Sequence, residues 1–159
     1  MQRRKFVSVT GTLGALLLGS ESTSAKNTEH PAQHDSCARP APKTQTVLHL
    51  SSGDSMAHKG ALMNGKNLLD DESVPVKDLV VLANSKGVQL YTPPTDDNEF
   101  ADQIASLQDR GVTFRACGNA MEMLGLTKDD LLSGVERVPS GVGELARFQA
   151  LDFGYIKVP

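Results

Sequence analysis

A chain of 159 residues has room for one domain and a tail. With a formal net charge of −3, no Trp, two Tyr and five Phe, it carries neither the basic footprint of a nucleic-acid or anionic-lipid binder nor an aromatic binding platform. Two cysteines, Cys37 and Cys117, are too few for a disulfide-built scaffold.

Residues 1–25 have the order of an export signal and are set aside from the fold. Arg3-Arg4-Lys5 is followed directly by apolar Phe6 and Val7, a twin-arginine pattern. The uncharged run over 7–19 is too short for the roughly 20 residues a membrane span needs. Thr23, Ser24 and Ala25 are small and suit cleavage after Ala25. Because Arg3, Arg4 and Lys5 outweigh Glu21 by two charges, a chain lacking this segment carries −5. The expectation is export across the cytoplasmic membrane by the twin-arginine route, with no stable membrane insertion after cleavage.

Residues 26–46 are polar, contain Pro31, Pro40 and Pro42, and follow no helical or strand period. They read as a disordered linker. His30, His34 and Cys37 are chemically good metal ligands. Pro31 opposes the helix that would align them, so no metal site is assigned.

The domain proper spans 47–159. Residues 47–50 form a short strand and 51–55 a loop of turn residues. A helix over 56–70 follows, with Ala57, Ala61, Leu62, Gly65, Leu68 and Leu69 along one stripe. After a turn at 72–75, Leu79 to Ala83 is a nearly continuous apolar run, the mark of a strand covered on both faces. Residues 88–91 fit either an extended piece or a helix start. A loop with Pro93 and Pro94 leads to a helix over 99–110, where Phe100, Ile104 and Leu107 share a face and Gly111 supplies the cap. Residues 112–116 form the strand that ends at Cys117. A short helix runs on to Leu124, and Thr127 with Asp130 forms a variant capping box before a second short helix at 129–132. A strand over 135–138, a helix over Gly141–Ala150 capped by Ser140, and a last strand over 155–158 complete the chain. At least five strands alternating with helices predict an α/β fold with a mainly parallel sheet.

Several motifs in order carry a family resemblance. Gly111 to Asn119 (with Ala116-Cys117-Gly118-Asn119), Leu131 to Val135, Val138 to Leu145 and the closing Gly154-Tyr155-Ile156 resemble the DsrE/DsrF-like (YchN-like) family, over nearly all of the domain. The resemblance implies a three-layer α/β/α sandwich around a five-stranded sheet and assembly into homotrimers or homohexamers. It also implies sulfur handling through a cysteine persulfide at Cys117, with a sulfur donor or acceptor protein as partner. It calls for no cofactor or metal. The known relays of the family work in the cytoplasm, and this chain departs from them in carrying an export pattern.

A sulfur carrier needs one accessible thiol whose thiolate is stabilised. A helix amino end and nearby donors supply that. In a parallel sheet the strand carboxyl ends share one edge, so Asp54, His58, Asn84 and Ser85, with Asn119 after Cys117, are the candidate binding residues around catalytic Cys117. The competing reading makes Cys117 a packed structural residue in a non-catalytic oligomeric module that binds a ligand or partner. A third pairs Cys37 with Cys117 as a redox couple. Gly141-Val142-Gly143 lacks the residues of a phosphate loop, and Ser52 has no hydrolase context.

Overall fold

The structure is a computed structural model that describes residues 42–93 and 97–159. The expected export signal, His30, His34 and Cys37, and most of the linker lie outside the described residues. The elements are β1 (Thr44–Leu50), α1 (Ser55–Asp70), β2 (Val76–Ala83), a 3₁₀ helix (Ser85–Tyr91), α2 (Ala101–Asp109), β3 (Val112–Cys117), α3 (Gly118–Met123), a one-turn 3₁₀ helix (Lys128–Asp130), β4 (Glu136–Val138), α4 (Gly141–Ala150) and β5 (Gly154–Lys157). The five strands form one sheet in the order β4-β3-β2-β1-β5, every pair parallel.

That order follows from the apolar pattern. β2 is central and its last five residues are all buried. Leu79, Val81 and Ala83 face one way, into the larger core with Leu48, Leu50, Ala61, Leu62, Ile104, Leu107 and Phe114. Val80 and Leu82 face the other way, with Val47, Val138 and Phe148. The first three strands step outward in one direction, and right-handed crossovers keep the intervening helices on one face. From β4 the chain returns across the sheet to place β5 beside β1. The connecting helix α4 therefore covers the opposite face, where Leu145 and Phe148 meet Val47, Val80 and Leu82. The outcome is the expected three-layer α/β/α arrangement, with one helix as its third layer.

Several boundaries differ from the sequence reading. β1 starts at Thr44, so Thr44 to Thr46 belong to the sheet and not to the linker. Polar residues hide this start, and partners across the sheet hold it: the Thr44 N–H donates to the Pro75 carbonyl at 2.7 Å, and Gln45 Nε2 to Asp78 Oδ2 at 2.8 Å. For the same reason β2 begins at Val76. Residues 88–91 close a 3₁₀ helix, whose Val88, Leu90 and Tyr91 are buried. Tyr91 packs edge-on against Phe114 and satisfies its hydroxyl on the Val81 carbonyl at 2.9 Å. The helix expected at 129–132 is a single 3₁₀ turn over Lys128–Asp130, its Thr127/Asp130 capping box in place. Gly111 takes φ 89° after α2, the left-handed turn that suits a residue without a Cβ.

One polar cluster ties α4 to the sheet. Glu144 accepts from Arg147 Nη2 at 2.5 Å and Nε at 3.0 Å, and also from Arg115 Nη1 of β3. Arg115 in turn donates to its cross-strand neighbour Glu136 at 3.0 Å and stacks over the Phe148 ring. Glu144 is 9% exposed. The Arg147 hydrogen bonds, then the charge of Arg115, hold its carboxyl below the ordinary carboxylate range. A carboxylate so depressed stabilises the fold fully above its unfolded-state value and loses that contribution as pH falls through its lower folded value. Replacing Glu144 with Gln is therefore expected to cost about 2 kcal/mol in urea unfolding at neutral pH. The gap to the parent protein should narrow steadily in acid. A gap independent of pH would show that the charge contributes nothing.

Candidate functional site

Cys117 is the last residue of β3 and the amino-terminal cap of α3, with φ −68° and ψ 117°. The approach of α4 defines its surroundings. The N–H of Gly141, first residue of that helix, donates to Cys117 Sγ at 3.1 Å. Ser140 caps the same turn, its hydroxyl accepting from the Gly143 N–H at 3.2 Å. Gly141 is required by space: a Cβ there would lie 3.0 Å from the Cys117 Cβ, 3.1 Å from the Asn84 Cβ and 3.3 Å from the sulfur. The amino end of a helix is thus seated on the sulfur, an arrangement that accommodates negative charge.

Cys117 lines a cavity of about 320 Å³ that opens at the carboxyl edge of the sheet. Asn84, Ser85, Lys86, Asn119 and Ser140 supply its polar lining, and Ala120, Met123, Leu124 and Val142 its apolar one. Cys117 itself is 6% exposed, whereas Met123 at 88% and Val142 at 69% stand free at the mouth. Ser85 has φ 48°, an unusual left-handed backbone for a serine, at the tight turn that leaves β2.

Four of the sequence candidates, Cys117, Asn84, Ser85 and Asn119, line this one cavity. Two do not. Asp54 caps α1, accepting from the Met56 N–H at 2.7 Å, and lines a separate hollow beside Val158. His58 is buried against the edge of Phe100, with Nε2 3.1 Å from the Ser52 carbonyl. Burial lowers its pKa. Neither residue lines the Cys117 cavity. Three residues were not read as part of the site in the sequence. Lys86 follows the candidate pair Asn84-Ser85 and makes no ion pair among the described residues. Gly141 is recognisable only as a glycine placed directly after a helix cap. His49, one residue from the end of β1, lies 3.0 Å through Nε2 from Asn84 Oδ1 and 2.8 Å through Nδ1 from the Tyr155 hydroxyl. Burial, and the nearby Lys157, lower the His49 pKa despite the Asn84 hydrogen bond. Among the described residues no group of three His, Cys, Asp or Glu side chains is placed to hold a metal ion.

Fold and site together define an α/β/α domain with a single buried thiol at a strand end, cradled by a helix amino terminus. The chain belongs to the DsrE/DsrF-like family, whose model matches residues 47–158. It is similar to the solved structure of a protein of unknown function, MTH1491 from Methanobacterium thermoautotrophicum. The two are 34% identical with a TM-score of 0.65, over 72% of this chain and 99% of that one. The ychN protein from E. coli has a TM-score of 0.58 at 18% identity, over 72% of this chain and 98% of its own. BT1422 from Bacteroides thetaiotaomicron, a conserved protein of unknown function, has a TM-score of 0.53 at 15% identity, over 70% and 94%. These two likenesses bear on the fold alone. No curated protein matches the chain. Membership suggests, at the level of the family, a sulfur-relay type of role.

The packing at Gly141 is directly testable. Gly141→Ala places a methyl group where Cys117 and Asn84 already crowd, at a cost of about 1–3 kcal/mol. The helix-propensity gain of at most about 1 kcal/mol offsets only part of that. A lower urea midpoint is expected; an unchanged or raised one would mean that α4 does not sit this close to the thiol.

Proposed function

We propose that this protein is a thiol-based sulfur carrier that holds one sulfane sulfur on Cys117 as a persulfide. The observation that carries the reading is the Gly141 N–H on Cys117 Sγ beside an open cavity. Anionic sulfur is accommodated there, and the cavity has room for one further sulfur atom. The loading step balances without a metal or cofactor. The Cys117 thiolate attacks the sulfane sulfur of a polysulfide or a protein persulfide. The donor's S–S bond breaks, and hydrosulfide or the donor thiolate leaves with the electron pair. In unloading, an acceptor thiolate attacks the outer sulfur and Cys117 departs as thiolate. In this reading residues 1–25 export the chain by the twin-arginine route. The domain works as a homotrimer or homohexamer beside a sulfur donor or acceptor protein. The low exposure of Cys117 favours one rival, a ligand-binding module in which the thiol only packs.

Intact mass separates the two. The full chain with Cys37→Ser, which leaves Cys117 as its sole thiol, is incubated with inorganic polysulfide. A gain of about 32 Da is expected, removed by reductant and absent when Cys117→Ser is added. No gain, with slow alkylation of the native protein, would end the carrier reading in favour of the binding module.

A further inference from the structure

Asn84 is held in one orientation by a chain of side chains that starts at the far edge of the sheet. Its Oδ1 takes a hydrogen bond from His49 Nε2 at 3.0 Å. The other ring nitrogen, Nδ1, is 2.8 Å from the hydroxyl of Tyr155 on edge strand β5. Burial lowers the His49 pKa and so favours the neutral ring, which has one N–H to give. With that proton on Nε2, donation runs in one direction: Tyr155 O–H to Nδ1, then Nε2–H to Asn84 Oδ1. The Asn84 amide is left with its NH₂ end uncommitted; among the described residues it makes no hydrogen bond through Nδ2. Asn84 lines the same cavity as Cys117, and the Cβ atoms of both lie within 3.1 Å of the point where a Gly141 Cβ would sit. Lys86 adds a positive charge to that lining.

We propose that the Asn84 NH₂ group binds the anionic outer sulfur of the donor and of the Cys117 persulfide, with His49 and Tyr155 as positioning residues that keep the amide oxygen turned away. The substrate class this selects is a small anionic sulfane-sulfur compound, with inorganic polysulfide as the simplest case. An amide turned the other way would present its oxygen to that anion, so orientation decides between attraction and repulsion. This rests on the sulfur-carrier reading.

The test uses the full chain with Cys37→Ser and two measurements. The first is the second-order rate of sulfur loading from inorganic polysulfide. The second is the ratio of Cys117 alkylation rates with anionic iodoacetate and neutral iodoacetamide. Asn84→Ala, His49→Leu and Tyr155→Phe should each lower both quantities, by about tenfold for Asn84→Ala, as for loss of one charge-assisted hydrogen bond. His49→Gln, which keeps an N–H donor toward Asn84, should restore most of the loss. Tyr155→Phe removes one exposed hydroxyl and keeps the ring, so its effect is not one of misfolding. Equal loading in parent and variants overturns the Asn84 assignment and leaves the carrier reading standing. If the parent takes up no sulfur the carrier reading falls, and the alkylation ratio still decides: a ratio that drops in Asn84→Ala supports an anion donor, and an unchanged ratio overturns it.

Discussion

Parallel pairing is the constraint from which the site follows. In a sheet where every neighbouring pair runs the same way, all strand carboxyl ends emerge on one edge. Cys117 from β3, Asn84 after β2 and His49 near the end of β1 are far apart in sequence, yet they become neighbours on that edge. The strand order adds the second half. Since β5 lies beside β1 and β4 at the opposite border, the chain must cross the whole sheet between them. The helix that makes this crossing starts at the thiol, and its first N–H is spent on the sulfur. The sheet gathers the side chains; the crossover delivers the backbone donor.

The two faces of the sheet do different work. The face under α1 and α2 holds most of the apolar core and sets stability. On the other face one row runs across the strands in register, Lys157, His49, Leu82, Arg115 and Glu136, polar except at the buried Leu82. Arg115 spends its charge on Glu136 and Glu144, holding α4 down. His49, in the same row, spends its hydrogen bonds on Tyr155 and Asn84. One row of side chains thus fastens the covering helix at one end and orients the cavity lining at the other.

Much of this was legible in the sequence because its causes are local. The unbroken apolar run from Leu79 to Ala83 announces a strand covered on both sides. The Thr127/Asp130 box and the Ser140 cap are set by neighbouring residues, and both appear as read. The placement of Cys117 at a strand-to-helix turn came from the same kind of signal. What stayed hidden depends on partners distant in the chain. Thr44 and Gln45 are polar and join the sheet only because Pro75 and Asp78 are beside them. His58 looked like a neighbour of the thiol from its place just after the first loop. The helix following that loop turns it instead onto Phe100. No spacing rule links Tyr155 to Asn84, because their connection passes through a third residue on another strand.

The third layer is a single helix of ten residues, Gly141–Ala150. Proteins open locally in cooperative units, and those with few buried apolar contacts open at the lowest cost. Here the segment with the smaller core beneath it also supplies the donor to the thiol and the glycine that spaces it. Local opening of α4 would remove the Gly141 N–H from Cys117 without global unfolding of the domain. In the proposed carrier, a persulfide on Cys117 would keep its Gly141 donor only while α4 is seated against Val47, Val80 and Leu82, so the shelter of the sulfur would hang on the shallow side of the sheet.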